Sequence, residues 1–259
     1  MSKQTDEKMQ STVEEEKKEE KKEKKKKKVK IDSEPEDTDD DLIDFNRPRN
    51  TILVGKKHSG KTNLTRYLLL NYSVQKKKFK FGIVFTNTKF DEEYIFMPDE
   101  YIIQGYDKPV FLNYIKQLED FSKKNKKRPP SNFMVFDDLV GVLREDKEFI
   151  NFICNHRHYS TSVFLSAQYL KKGIPTTMRE CIDYGFFFNS KTEQTLKALY
   201  ESFGQLFGDY KTFRNIFMNN TKEKFQSILY RAEFDDIDNA YKKFKSPDMS
   251  KHKKIKIEF

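Results

Sequence analysis

The sequence predicts an α/β fold in which a largely parallel central sheet is sandwiched by helices. Short apolar runs such as residues 133–136 alternate along the chain with segments of helical apolar spacing such as residues 61–71. Strands that are separated by helices pair in parallel through right-handed crossovers. The uninterrupted apolar run at 133–136 is typical of a central strand that is buried on both faces.

The predicted elements follow one another from residue 49 onwards. The predicted strands are residues 49–54, 81–85, 101–103, 133–136, 162–166 and 185–188. The predicted helices are residues 61–71, 110–121 and 146–155, then a helical pattern over 192–210 and more helix at 211–219. Residues 225–232 have a hairpin-like pattern. The basic residues 251–259 are expected either to add an edge strand or to remain frayed.

Residues 1–46 are predicted to be a disordered charged tail, and residues 47–259 the folded domain. The tail contains no glycine and few apolar residues, and its charges run in blocks. Such a segment buries too little apolar surface to offset the entropy of ordering. The lysine run at residues 24–30 is compatible with a targeting or nucleic-acid patch, but its acidic flanks favour a solvated, self-compensating tail.

Charge is divided unevenly between the two parts of the chain. The formal net charge of +9 divides into −4 over residues 1–46 and +13 over residues 47–259. A basic domain favours a polyanionic partner, either nucleic acid or an acidic protein face. A lysine-rich surface without such a partner is the alternative. The charged N-terminus excludes a signal peptide and no apolar stretch reaches about 20 residues, so we expect a soluble intracellular protein.

A phosphate-binding loop lies between the first predicted strand and the first predicted helix. It matches the pattern G-x-x-x-x-G-K-S/T with Gly55, Lys56, Lys57, His58, Ser59, Gly60, Lys61 and Thr62. Backbone N–H groups of such a loop surround phosphates, and the helix N-terminus adds a positive dipole end. Lys61 is predicted to reach the β- and γ-phosphates of a nucleotide, and Thr62 to bind Mg²⁺.

Two aspartates directly follow the apolar strand at residues 133–136. Asp137 is predicted to hold Mg²⁺, directly or through water, and Asp138 to be the general base. A second carboxylate favours hydrolysis over phosphoryl transfer to an acceptor. The alternative is an acidic turn after a buried strand. Gln168 ends the next predicted strand, where its amide can orient the attacking water or sense the γ-phosphate.

In this order the motifs resemble the HerA/FtsK superfamily of DNA-pumping ATPases. The resemblance covers roughly residues 49–230 and is strongest to the genome-packaging ATPases of poxviruses, other large DNA viruses, virophages and related transposons. Its carriers are the phosphate loop, residues 133–139, residues 155–159 leading into 162–168, and Met178-Arg179-Glu180.

This resemblance implies a RecA-like P-loop NTPase with ATP and Mg²⁺ as cofactors. It also implies a homo-oligomeric ring, a pentamer or hexamer, that threads double-stranded DNA into a preformed capsid and contacts capsid vertex proteins. Such a protein acts inside the host cell, in a cytoplasmic virus factory or in the nucleus, and can be associated with the virion.

Ring motors of this kind insert a cation into the site of the neighbouring subunit. Arg157 is the first candidate, because it lies in residues 155–159, which carry the resemblance and precede the strand that ends at Gln168. We expect it near the nucleotide end of the sheet. Arg179 is the second candidate. A salt bridge to a nearby acid, such as Asp183 or Glu180, is the alternative for both arginines.

DNA contacts are expected from basic loops, at residues 123–128 or at Lys171-Lys172, unless these are only solvated lysine faces. No nuclease block follows the motor, so DNA cutting is not expected. A cellular or plasmid HerA/FtsK-type translocase would use the same residues. A nucleotide-dependent assembly protein with little hydrolysis is the alternative of a different class, and Asp138 with Gln168 argues against it.

Overall fold

The computed structural model describes residues 42–89, 93–168, 170, 175–190, 192–252 and 257. The chain divides into two units, Met1–Ile43 and the compact unit Asp44–Phe259. The compact unit therefore begins before the predicted start at residue 47. Phe45 is 2 % exposed, and its ring packs against Tyr72, Phe79 and Phe164. The predicted tail of residues 1–46 lies mostly outside the described residues.

An eight-stranded sheet forms the centre of the compact unit. Its strands are β1 (Asn50–Val54), β2 (Phe81–Thr86), β3 (Ile102–Gln104), β4 (Asn132–Asp137), β5 (Thr161–Ala167), β6 (Tyr184–Phe188), β7 (Gln226–Arg231) and β8 (Tyr241–Lys245). Their order is β3-β2-β4-β5-β1-β6-β7-β8. Neighbours from β3 to β6 are parallel, whereas β6–β7 and β7–β8 are antiparallel. The predicted largely parallel α/β fold is confirmed.

Helices lie between most consecutive strands, both parallel and antiparallel. They are α1 (Lys61–Leu70), α2 (Lys108–Asn125), α3 (Val140–Leu143), α4 (Lys147–Asn155), α5 (Thr176–Arg179), α6 (Glu193–Phe203), α7 (Tyr210–Asn220) and α8 (Ile237–Ala240). Asp107 and Asp146 cap α2 and α4, each accepting a backbone N–H hydrogen bond at 3.0 Å. Within the described ranges, no helix has both the length and the apolar content of a membrane span.

The strand β4 is buried on both faces, as its apolar run predicts. Successive strand residues point to opposite faces of a sheet. On one face the ring of Phe136 packs against Phe111 of α2 and Phe149 of α4. On the other face the ring of Phe133 packs against Phe79. Covering both faces holds the end of β4, and thus Asp137, in a fixed position.

Two predictions for the C-terminal third are wrong. The hairpin-like residues 225–232 contain one strand, β7, and its second partner β8 was not predicted, because three lysines mask the alternation around the buried Phe244. The helical pattern at 192–210 breaks after Phe203, where Gly204 ends α6 and a 3₁₀ turn, Gln205–Phe207, follows. Most of residues 251–259 lie outside the described part of the chain.

Candidate functional site

Three strand ends meet at one edge of the sheet. β5 lies between β1 and β4. Val54 is in register with Ala167, and Ser166 is in register with Asp137. The loop that follows β1, the glutamine that follows β5 and the aspartates that end β4 therefore lie side by side. We call this the carboxyl edge.

The phosphate loop follows a path that its two glycines permit. Gly60 precedes α1 with a φ of 111°, a conformation that residues with a Cβ rarely adopt. A Cβ at Gly55 would lie 2.6 Å from Cβ of Phe188 and 2.6 Å from Oγ of Ser59. The backbone N–H of Gly55 donates to the carbonyl of Ala167 at 3.0 Å. These contacts bring the loop close to the end of β5.

Lys61 is buried at the base of this loop. Its side chain is folded back, and its ammonium donates to the carbonyl of Gly55 at 2.7 Å and to that of Lys56 at 3.3 Å. Burial lowers the pKa of Lys61, while the charges of Asp138, Asp137 and Glu93 oppose that shift. Only 7 % of Lys61 is exposed. A cation in this position faces the carboxylates across the edge.

Asp137 is a buried carboxyl with few compensating contacts. It is 5 % exposed, and burial raises its pKa, with the nearby charges of Asp138 and Glu93 adding to the shift. The hydroxyls of Tyr94 and Ser166 lie beside it, but neither makes a hydrogen bond of good geometry. Its negative charge is therefore costly unless a cation lies nearby.

Asp138 and Gln168 form a direct pair. The backbone of Asp138 has a φ of 56°, and its N–H donates to the carbonyl of Ser166 at 2.9 Å. Nε2 of Gln168 donates to Oδ2 of Asp138 at 2.8 Å. The other oxygen, Oδ1, is buried and has no hydrogen-bond partner among the described residues. One carboxylate oxygen is thus positioned by the glutamine, and the other has free lone pairs.

The donor set fits Mg²⁺ that is shared with phosphates. Within the described residues, no group of three or more His, Cys, Asp or Glu side chains forms a metal site by itself. Mg²⁺ in nucleotide sites takes one or two carboxylates and completes its shell with phosphate oxygens and water. The buried carboxylate of Asp137 and the half-buried Thr62 at the start of α1 fit that requirement.

The two candidate arginines lie at the opposite edge of the sheet. Arg157 lies just before β5 and donates to Oδ1 of Asp183 at 2.7 Å. Arg179 lies before β6, with Nη1 3.4 Å from the carbonyl of Glu201 and Nε 3.9 Å from Glu180. Because β5 and β6 run parallel to β1, both arginines are near the amino ends of these strands. We call this the amino edge.

The expectation that Arg157 lies near the nucleotide end of the sheet is therefore wrong. A residue that precedes a strand lies at its amino end, whereas Gln168 follows the same strand and lies at the other end. The predicted basic loop of residues 123–128 precedes β4 and also belongs to the amino edge, where its lysines and arginine are exposed. Lys171 and Lys172 lie outside the described residues.

Sequence reasoning missed two residues near the carboxyl edge. Glu93 acts electrostatically on Lys61 and Asp137, and its Oε2 accepts a hydrogen bond from Thr88 at 3.1 Å. Phe225 lies 2.9 Å from the position that a Cβ on Gly60 would take. Neither residue belongs to a motif, so no pattern in the sequence pointed to it.

A family model and several relatives match the chain. Residues 40–243 match the model described as "Poxvirus A32 protein". "Uncharacterized protein 075L" of Invertebrate iridescent virus 6 is 24 % identical over 172 residues, which cover 63 % of each chain. "DNA packaging protein OPG160" of Vaccinia virus (strain Western Reserve) is 26 % identical over 171 residues, covering 59 % of this chain and 58 % of that protein. The chain thus spans about three fifths of the length of these relatives.

A solved structure has a similar fold. The genome packaging NTPase B204 from Sulfolobus turreted icosahedral virus 2, in complex with AMPPCP, superimposes with a TM-score of 0.57 at 13 % identity. The match covers 79 % of this chain and all of that one. Together with the family match, it confirms the resemblance to the viral genome-packaging branch that the motifs indicated.

Proposed function

The chain belongs to the Poxvirus A32 protein family, and we propose that it is an ATPase that packages viral double-stranded DNA into a preformed capsid. One observation carries the proposal. Three motifs that are far apart in sequence meet at the carboxyl edge: a buried phosphate-loop lysine, a buried aspartate, and the pair of Asp138 with Gln168. The Vaccinia virus relative, which is named as a DNA packaging protein, supports DNA packaging as the process that ATP hydrolysis drives.

Nucleotide binding is assigned to the phosphate loop. In this proposal the backbone N–H groups of residues 55–62 and the ammonium of Lys61 bind the phosphates of ATP. Lys61 would exchange its present carbonyl acceptors for β- and γ-phosphate oxygens. Thr62 and Asp137 would hold Mg²⁺, which supplies charge neutralisation at the phosphates when it is bound.

The pairing of Asp138 with Gln168 gives each a distinct role. Gln168 occupies Oδ2 of Asp138, so Oδ1 is available to accept a proton from water. We therefore assign the role of general base to Asp138. Gln168 fixes the orientation of that base, and its amide would also orient the attacking water or sense the γ-phosphate. A positioned base beside the phosphate loop supports hydrolysis over binding alone.

A ring places the amino edge of one subunit within reach of another. Arg157 and Arg179 lie far from the loop of their own chain, so either can assist hydrolysis only in a neighbouring subunit of a pentamer or hexamer. The side chain of Arg157 is 57 % exposed, whereas that of Arg179 is 27 % exposed. Arg157 therefore remains the first candidate for an arginine finger.

The remaining partners follow from the same proposal. The exposed basic residues 123–128 are candidates for contacts with DNA phosphates, since neutralising phosphates dominates DNA affinity. Lys171-Lys172 is the second candidate. Capsid vertex proteins and the host-cell interior, either a cytoplasmic virus factory or the nucleus, are the corresponding partners and place of action.

The proposal is tested by measuring ATPase activity with and without double-stranded DNA, together with mass in solution by light scattering. We expect hydrolysis that DNA stimulates and a mass of five or six subunits. Nucleotide binding without turnover under either condition would contradict the proposal and favour an assembly protein. A cellular or plasmid translocase is expected to show the same activities. Stimulation of ATP hydrolysis by extracts that contain empty capsids is expected only of a packaging ATPase.

A further inference from the structure

A cavity of about 340 Å³ opens beside the first turn of α1, next to the phosphate loop. Its volume lies within the usual range for sites that bind small molecules. Residues from four separate parts of the chain line it. Those that carry the argument are Thr62, Arg66, Glu93, Lys224, Phe225 and Met249.

One wall is attached to α1 by a side chain of that helix. Nδ2 of Asn63 donates to Oγ of Ser246 at 3.0 Å and to the carbonyl of Pro247 at 2.8 Å. Oδ1 of Asn63 accepts the backbone N–H of Met249 at 2.9 Å. Three hydrogen bonds from one amide therefore hold the segment after β8 against the helix. This wall is therefore held in a defined position against α1.

A second wall joins the cavity to the phosphate loop. Phe225 has a φ of 66°, and its Cδ1 lies 2.9 Å from the Cβ position at Gly60. The ammonium of Lys224 lies 4.5 Å from the centroid of the Phe225 ring. An aromatic ring therefore lies between the turn of the loop and the cavity. It offers a flat apolar surface beside the position of the phosphates.

Arg66 is a buried cation that forms no ion pair with the described residues. It is 9 % exposed, and Nε and Nη2 are buried without a hydrogen-bond partner among the described residues. Its guanidinium lies 5.1 Å from the ring centroid of Phe96. Unpaired buried donors are costly, and native proteins rarely keep them without a reason. A ligand with acceptor atoms would supply what the fold leaves out.

The position of Arg66 relates the cavity to the phosphates. Thr62 and Arg66 are four residues apart on α1, so they lie on the same face of the helix, separated by about 6 Å along its axis. A nucleotide whose phosphates reach Thr62 can therefore extend along this face. Its nucleoside would then lie between Arg66 and Phe225.

We propose that this cavity binds the purine nucleoside of the nucleotide, with Arg66 donating hydrogen bonds to its acceptor atoms and Phe225 packing against the base. The inference rests on the proposed function, because it takes the phosphates to lie on residues 55–62. Glu93 lines the cavity and acts electrostatically on Asp137, and its carboxylate can accept a hydrogen bond from an exocyclic amino group. The free energy of nucleoside binding then adds to that of the phosphates.

The test compares two probes on the full chain: ATP and inorganic tripolyphosphate, each titrated calorimetrically in the presence of Mg²⁺. Arg66→Met keeps an apolar stem of similar length and removes the donors. We expect ATP to bind about tenfold more weakly, or worse, with tripolyphosphate changed less than about twofold. Arg214→Met is the matched control, since Arg214 is 45 % exposed and does not line the cavity.

Other results would contradict the nucleoside site or the phosphate-loop function. Equal weakening of both probes by Arg66→Met, or no weakening of either, would overturn the nucleoside site. If Lys61→Ala leaves both affinities unchanged, the phosphate-loop function itself fails, and this is a separate outcome. Should Arg66→Met not fold, wild-type protein photolabelled with 8-azido-ATP decides. Label on residues 224–225 or 246–250 supports the site, and label only elsewhere contradicts it.

Discussion

The two edges of the sheet use charge in opposite ways. At the amino edge, Asp183 accepts hydrogen bonds from the backbone of Asn50 at 2.8 Å, from Arg157 at 2.7 Å and from Arg49 at 3.5 Å. At the carboxyl edge, Lys61 has a lowered pKa and Asp137 a raised one, both chiefly because of burial. The buried acid of the amino edge is thus paired within the fold, whereas the buried charges of the carboxyl edge are available to bind ligands.

This difference separates an ion-pair cluster with a structural role from a site prepared for chemistry. Groups with perturbed pKa values that lie together in a cleft are candidates for function, whereas buried pairs with full hydrogen bonding are part of the framework. Substitutions at the carboxyl edge should therefore change activity more than stability. Substitutions of the buried acid at the amino edge should do the reverse.

The largest effect is expected for Lys61→Ala, which should abolish ATP hydrolysis and weaken ATP binding sharply. The substitution removes the cation that we assign to the β- and γ-phosphates. Steady-state ATPase assays and titration with MgATP measure both effects. Lys78→Ala, at an exposed position outside the site, is the control and should behave like wild type. Normal turnover by pure Lys61→Ala protein would refute the assignment of the phosphate loop.

Next in size is Arg157→Ala, which should bind ATP like wild type but lose DNA-stimulated hydrolysis by about 10³-fold or more. Arg157 would act in the neighbouring subunit, so its loss does not remove a contact within its own nucleotide site. Mixing Arg157→Ala with Asp138→Asn subunits should restore activity where an intact base meets an intact arginine. If mixed rings form but remain inactive, the role moves to Arg179 or to a residue of the same chain.

Stability should respond most to Asp183→Asn at the amino edge. Arg49 is 4 % exposed in its side chain, and breaking a buried ion pair leaves an uncompensated charge that costs about 3–5 kcal/mol. We expect the lower end of that range for two reasons. Arg157, the other arginine paired with Asp183, is exposed, and Arg49 keeps a second ion pair with Glu233 at 3.1 Å. Urea unfolding measures the change. A loss below about 1 kcal/mol would show that the cluster contributes little.

The smallest effect is expected for Asp137→Asn without nucleotide or Mg²⁺, and it is a gain in stability rather than a loss. A carboxyl whose pKa is raised on folding contributes stability below its unfolded pKa, and this is lost as the pH rises through the folded value. The asparagine variant avoids that loss, so its Tm should exceed that of wild type by a few degrees at pH 7, on the order of 1 kcal/mol. The difference should shrink towards pH 4. A lower Tm at pH 7 would contradict it.

The residues that sequence could identify are those whose role depends on contiguous neighbours. The loop of residues 55–62 needs glycines at fixed spacing, and the run that precedes Asp137 must be apolar because both faces are covered. It was harder to predict at which edge of the sheet a given residue lies. Gln168 was placed correctly because it follows its strand, whereas Arg157 was placed at the wrong end because it precedes the same strand.

Other parts depend on packing between distant segments and have no local signal. β8 is an edge strand with three lysines, and Phe244 is its one buried side chain. Arg66, Glu93 and Phe225 converge on one cavity from a helix, a loop and the turn before β7. The direct hydrogen bond from Gln168 to Asp138 likewise required the register between β4 and β5.

The central claim is that the carboxyl edge hydrolyses ATP through Asp138, and one measurement on Asp138→Asn tests it most directly. Single-turnover hydrolysis of MgATP should fall by about 10²–10⁴-fold while MgATP binds with the affinity of wild type. Binding must persist because Lys61, Thr62 and Asp137 are unchanged. Hydrolysis at the wild-type rate by Asp138→Asn would contradict the account and place the base elsewhere.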